Sequence, residues 1–102
     1  MDGFRVYPLA VVGDSAFDLV EISPEHKYRP HRHVRSEQRI SIVYGEGRAV
    51  VGEGRTDYRS GDTFFIPKNV MHVFEPGAQS LLFSVSTPSL AGPDGKVDVE
   101  FE

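Results

Sequence analysis

The chain contains no cysteine. Disulfides and thiolate metal sites are therefore excluded, and any metal must be held by imidazole, carboxylate, amide oxygen or water. No apolar run approaches the roughly 18 residues that span a bilayer. The opening residues, Met1-Asp2-Gly3-Phe4-Arg5, lack the basic stretch and apolar segment of a signal peptide. No membrane segment is expected, and the lack of cysteine fits a reducing cytoplasm. A net charge of −4 argues against general nucleic-acid binding. Extended amphipathic helical patterning is nearly absent as well.

What remains is punctuation and short apolar runs. Ten glycines and seven prolines divide 102 residues into segments rich in Val, Ile, Phe and Tyr, the pattern of an all-β domain of short strands. Strands are expected near Tyr7–Val12, Phe17–Ile22, Lys27–His33, Gln38–Tyr44, Arg48–Gly52, Arg55–Arg59, Asp62–Ile66, His72–Glu75 and Ser80–Ser86. Gly52-Glu53-Gly54 reads as a hairpin turn, and Pro67-Lys68-Asn69 as a break in which Asn accepts positive φ. The length suits one domain, residues 1–102, with a core over 17–87 and a tail over 88–102. The tail's closing alternation, Val97-Asp98-Val99-Glu100-Phe101-Glu102, reads as an edge strand that could pair with a second subunit, or as a mobile end. A core this thin gains from a metal or a partner.

Charge is uneven. Lys27, Arg29, Arg32, Arg35 and Arg39 stand against Glu25 and Glu37, a local excess of +3. That segment is either a solvated strand edge or a site that receives an anion.

The same segment holds His31 and His33. Residues two apart on a strand face the same way, so both imidazoles can aim at one point, as chelation requires. The other histidines are His26 and His72. The surrounding pattern resembles the cupin superfamily. Its first motif appears as Glu25, then His31-Arg32-His33, then Glu37-Gln38, then Gly45. Its second appears as Gly61 to Pro67-Lys68-Asn69, then His72, ending at Pro76, and fifteen residues separate Gly45 from Gly61. Three positions depart from the usual pattern: Glu25 and Asn69 stand where glycine is usual, and Pro76 where asparagine is usual.

The resemblance implies a jelly-roll (double-stranded β-helix) barrel. It also implies one divalent metal, among Ni, Fe, Mn, Co, Cu and Zn, on His31, His33, His72 and a fourth oxygen ligand. Both Gln38 and Glu37 fit the spacing of that ligand. If Gln38 points inward, Ile40 and Ile42 follow it; if Glu37 does, Arg39 and Ser41 follow, and burying an unpaired Arg is costly. Parity therefore favours Gln38, although a bulge would reverse it. Three imidazoles and an amide leave the +2 charge uncompensated, which favours an anionic ligand.

The histidine–glutamine pattern is similar to pectin-degradation cupins, which open unsaturated uronates. The Arg-Ser-Glu segment is similar to the cupin domain of mannose-6-phosphate isomerases. The resemblance thus implies a metal-dependent isomerase or lyase acting on a small anionic sugar or sugar acid, usually as a homodimer. A non-catalytic binding or sensing module and an Fe-dependent dioxygenase are the alternatives. No acid/base stands out: Tyr28, Tyr44, His26 and the unligated member of Glu37 and Gln38 are candidates, each more simply a packing or exposed residue. Phe64, Phe65, Phe74, Phe83 and Met71 read as barrel packing.

Overall fold

A computed structural model describes residues 3–91 and 96–102. Met1 and Asp2, and Gly92, Pro93, Asp94 and Gly95 of the tail, lie outside the described residues. Ten strands run in order: β1 (Arg5–Val12), β2 (Ser15–Ile22), β3 (His31–Arg32), β4 (Glu37–Tyr44), β5 (Glu46–Val51), β6 (Gly54–Arg59), β7 (Thr63–Ile66), β8 (His72–Pro76), β9 (Ser80–Thr87) and β10 (Glu100–Phe101). All pairings are antiparallel, in two five-stranded sheets ordered β1-β2-β9-β4-β7 and β10-β3-β8-β5-β6. This is the all-β jelly roll that the sequence motifs imply. Among the described residues no helix is long and apolar enough to cross a membrane.

Alternation along each strand builds the interior. Ile22, Ile40, Ile42, Ile66 and Leu82 from the first sheet meet Ala49, Tyr58, Val73 and Phe74 from the second. Phe74 receives Tyr58 and Phe64 edge-on, at 5.8 and 5.7 Å between centroids. Phe65 does not join them. It lies outside, 44% exposed, under the Arg39 guanidinium.

Turn chemistry follows the expected residues. Val51 pairs with Gly54 across the two-residue turn Gly52-Glu53, with Gly52 at φ 58°. Asn69 takes φ 68°, and its N–H donates to the His33 carbonyl at 2.6 Å, tying the β7–β8 turn to the histidine segment.

One expectation needs correction. Residues 27–30 form no strand, because β3 contains only His31 and Arg32. Tyr28 instead braces the N-terminal end: its hydroxyl donates to Gly3 O at 2.7 Å and accepts from Ser23 N at 2.9 Å. The tail places β10 at the edge of the second sheet, and of the three acidic residues in its closing alternation only Asp98 turns inward. Asp98 is buried and Val97 exposed, while β10 pairs with β3 of its own chain.

Candidate metal centre

His31 on β3 lies directly opposite His72 on β8 in the antiparallel register. His33 follows just beyond β3, on the same face as His31, with Arg32 only half-buried between two buried imidazoles. The three rings stand 4.3 to 5.1 Å apart by centroid, and their ligand atoms all lie within 4.8 Å of one another.

The tautomers follow from the hydrogen bonds. His31 Nδ1 faces Arg29 O at 3.3 Å, His33 Nδ1 faces Asp98 O at 2.6 Å, and His72 Nδ1 faces Val70 O at 3.0 Å. A carbonyl only accepts, so each Nδ1 carries the hydrogen and each Nε2 is left with its lone pair. Three neutral imidazoles fixed this way are a donor set that suits a divalent transition ion.

Burial keeps His31 and His72 neutral. It lowers the His31 pKa, aided by the neighbouring His33, and lowers that of His72 to about 3, aided by His31 and His33. In the unfolded chain a histidine titrates near 6.5. Above that pH both states are neutral. Below it the unfolded chain takes up protons that the folded metal-free chain refuses, so stability falls as pH drops from 6.5 toward 3. The slope approaches about 1.4 kcal/mol per pH unit per histidine. Urea unfolding in the presence of a chelator should therefore give a lower midpoint at pH 5 than at pH 7, and a divalent metal should raise both midpoints without removing the difference, because the protons go to the unfolded chain. A flat profile would contradict the buried, neutral triad.

The cluster opens into a cavity of about 100 Å³ lined by His31, His33, His72, Gln38, Asp18 and Ser84, with apolar walls that include Val20 and Ile40. Gln38, Ile40 and Ile42 face inward and are buried, whereas Glu37 and Arg39 are exposed. The Gln38 amide donates through Nε2 to Ser84 Oγ at 3.3 Å and Ser86 Oγ at 3.1 Å. Its Oε1 accepts no hydrogen bond among the described residues and lies on a cavity-lining side chain.

The acid/base candidates fare differently. Tyr28 is committed to the brace described above; Tyr44 is exposed; His26 sits outside beside Glu25 at 3.7 Å; Glu37 faces out. None lines the cavity. The carboxylate that does is Asp18 on β2, opposite Ser84 of β9. It makes no hydrogen bond or ion pair among the described residues, and burial raises its pKa. The sequence signal was parity: Asp18 shares the inward face with Val20 and Ile22, where a charge is out of place.

The basic segment does not converge on the cavity. Arg32 pairs with Glu100 at 2.8 Å, Arg29 covers the Phe101 ring, and Arg39 covers Phe65. Among the described residues no arginine or lysine lines the cavity.

A family model described as Cupin domain matches residues 18–81, more than half of the chain. The chain belongs to the cupin family. No curated protein matches it in sequence. Solved cupin-fold structures match it in fold. KdgF from Halomonas sp. is 22% identical with a TM-score of 0.79, over 92% of this chain and 84% of that one. Pac13, a nucleoside dehydratase, is 16% identical with a TM-score of 0.76, over 98% and 78%. Salicylate 1,2-dioxygenase from Pseudoaminobacter salicylatoxidans is 16% identical with a TM-score of 0.84, over all of this cupin but 31% of that chain. At these identities the likeness shows the fold, and one fold that carries a dehydratase and a dioxygenase does not choose between chemistries.

Proposed function

We propose that this cupin is a metal-dependent isomerase or lyase acting on a small anionic sugar or sugar acid. The observation that carries the reading is one cavity shared by three Nε2 donors and an unpaired, desolvated carboxylate, Asp18. Such a carboxylate can carry a proton to and from a substrate carbon.

Nε2 of His31, His33 and His72, with Gln38 Oε1, would hold one divalent ion among Ni, Fe, Mn, Co, Cu and Zn, whose chemistry when bound is Lewis acidity toward a substrate carbonyl or hydroxyl. The protein's own residues do the rest. Asp18 takes the proton from the carbon α to the substrate carbonyl; in an isomerase it returns that proton to the carbonyl carbon while the α hydroxyl's proton passes to the former carbonyl oxygen, and in a lyase the freed electron pair expels the β leaving group, which carries the proton away from Asp18. Partial burial beside the apolar wall of the cavity holds the Asp18 pKa above its ordinary value and makes it a better base. Ser84 accepts from Gln38, so its own O–H is left to donate into the cavity. The volume sets the scale: about 100 Å³ is well below the roughly 300–1,000 Å³ of ordinary ligand pockets. Only the reacting end of a substrate enters. The preference for an anion rests on the uncompensated charge of a neutral donor set, not on the arginines. A cytoplasmic homodimer belongs to the same reading, supported by half-buried Phe17, Leu19, Phe83 and Val85 on the outer face of the first sheet.

The test is solvent-proton exchange. The protein loaded with Mn, Co or Ni is incubated in deuterated water with a panel of uronates and sugar phosphates, without oxygen, and deuterium in carbon–hydrogen bonds is read by NMR. Exchange in at least one substrate is expected. Asp18→Asn should slow it by about 10²–10⁴-fold at unchanged metal content. Binding with no exchange anywhere in the panel would favour a sensing module. Turnover that consumes oxygen and requires ferrous iron would favour a dioxygenase.

A further inference from the structure

The last residues of the chain are fastened to the histidine segment at nearly every position. The Asp98 carboxylate accepts three consecutive backbone N–H groups, Val34 at 3.0 Å through Oδ1, and Arg35 at 2.8 Å and Ser36 at 3.1 Å through Oδ2. These residues lie between His33 and Gln38, two of the proposed ligands. The Asp98 carbonyl accepts His33 Nδ1 at 2.6 Å, the shortest of the three histidine contacts to backbone. Asp98 N donates to the carbonyl of Leu90, a cavity-lining residue, at 2.8 Å.

Further along, Glu100 holds Arg32, the residue between the two histidines, through Nε and Nη2 at 3.2 and 2.8 Å. Phe101 pairs with His31 in register, its ring 5.7 Å from the imidazole and capped by the Arg29 guanidinium at 4.8 Å. Glu102 N donates to Pro30 O at 3.0 Å.

An edge strand needs only ladder hydrogen bonds. A buried carboxylate capping a loop between two ligands, on a residue whose carbonyl also fixes a ligand's tautomer, is a further device. We infer that residues 98–102 are a working part of the metal centre: Asp98 is the positioning residue for His33, and metal loading and docking of this segment strengthen each other. The inference rests on the metal reading above. Its physical basis is preorganisation. The outer-shell acceptor sets the direction of the Nε2 lone pair, and losing such a partner typically weakens metal binding by about 10–100-fold. Linkage is reciprocal, so metal must tighten docking of the segment by the factor by which docking tightens metal.

Two readouts on the full-length protein test this. Co²⁺ or Zn²⁺ affinity is measured by competition with a chelating dye for wild type, Asp98→Ala and Phe101→Ala. Amide hydrogen exchange is followed for residues 34–36 and 98–102, chelated and metal-loaded. Asp98→Ala keeps the carbonyl that faces His33 but removes the carboxylate that anchors it to residues 34–36, so we expect it to weaken binding by up to the factor of about 10–100 typical of a lost outer-shell partner. Phe101→Ala keeps the Asp98 carboxylate and is expected to weaken binding less, which covers the case in which Asp98→Ala does not fold. Protection of 98–102 should rise on loading. A folded Asp98→Ala that binds metal as wild type does, with tail protection indifferent to metal, would overturn the inference while leaving the metal site standing. Failure of wild type itself to take up metal would overturn both, and that result is visible before any tail variant is compared.

Discussion

His72→Ala and His31→Ala are each expected to lower affinity for Co²⁺ or Zn²⁺ by more than about 100-fold, beyond the 10–100-fold typical of a lost outer-shell partner. The site has little in reserve. All three imidazoles are neutral and pinned at Nδ1, and the fourth donor is a neutral amide, so no charged ligand compensates for a missing ring. Elemental analysis of the purified variants, beside circular dichroism to establish that they fold, is the measurement. The fourth position gives a finer prediction. Glu37 is exposed on the outer face of β4, so Glu37→Ala should keep full metal content. Gln38→Ala should lose affinity by less than a histidine variant does, because an amide oxygen is the weaker donor. Retention of metal by Gln38→Ala with loss by Glu37→Ala would reverse the ligand assignment and the charge argument built on it.

The all-β architecture was readable because its determinants are local. Alternation places Ile40 and Ile42 inward, glycine permits the Gly52 turn, and Asn69 tolerates positive φ. His31 and His33 were readable for the same reason, since two residues on one strand share a face whatever the rest of the chain does. His72 entered through the motif resemblance, and the register that sets it opposite His31 belongs to the assembled sheet.

What escaped was long-range. Asp98 lies 65 residues from His33, and nothing local in Val97-Asp98-Val99 announces that the charged member turns inward. The pattern has the period of a strand with its polar face out. Burial is favourable only because three backbone N–H groups wait at the docking point: burial works to raise the Asp98 pKa, but those donors and the Arg35 charge outweigh it and hold the carboxylate below its ordinary value. Asp18 was legible in principle. Its parity with Val20 and Ile22 puts a carboxylate on an inward face, and an unpartnered charge on such a face reads as function more readily than as packing. The basic segment misled in the opposite sense. Five cations close together in sequence are spread over different segments, Lys27 and Arg29 before β3, Arg32 in it, Arg35 after it and Arg39 on β4, and the three with partners described above, Arg29, Arg32 and Arg39, are held by the tail or by Phe65 outside the cavity.

The largest effect on folding should come from Gly45→Ala. Gly45 joins β4 to β5 at φ 110°, a region that L side chains rarely adopt. An added Cβ would come within 2.6 Å of both Cα and Cβ of Ser80 and would meet its Oγ more closely still. Rotating the Ser80 side chain cannot relieve a collision with its own Cα. The residue is also fully buried, bonded to Tyr58 OH at 2.8 Å and Ala78 O at 2.9 Å, with Tyr58 in the core behind it. Backbone strain of about 1–3 kcal/mol and overpacking of about 1–3 kcal/mol together predict a loss of about 2–6 kcal/mol, a large part of the roughly 5–15 kcal/mol that holds a domain together. For a chain of this length that lowers the melting temperature by roughly 8–48 °C. Gly61 provides the control. It too has positive φ, 94°, but an added Cβ would meet nothing within 4 Å, so Gly61→Ala should show the strain alone, about 1–3 kcal/mol. Thermal unfolding of the two variants separates the causes. A clear gap between them assigns the need for glycine at position 45 to the close approach of Ser80. Equal losses would mean that dihedral preference explains both glycines and that the β4–β5 turn yields more readily than its packing implies.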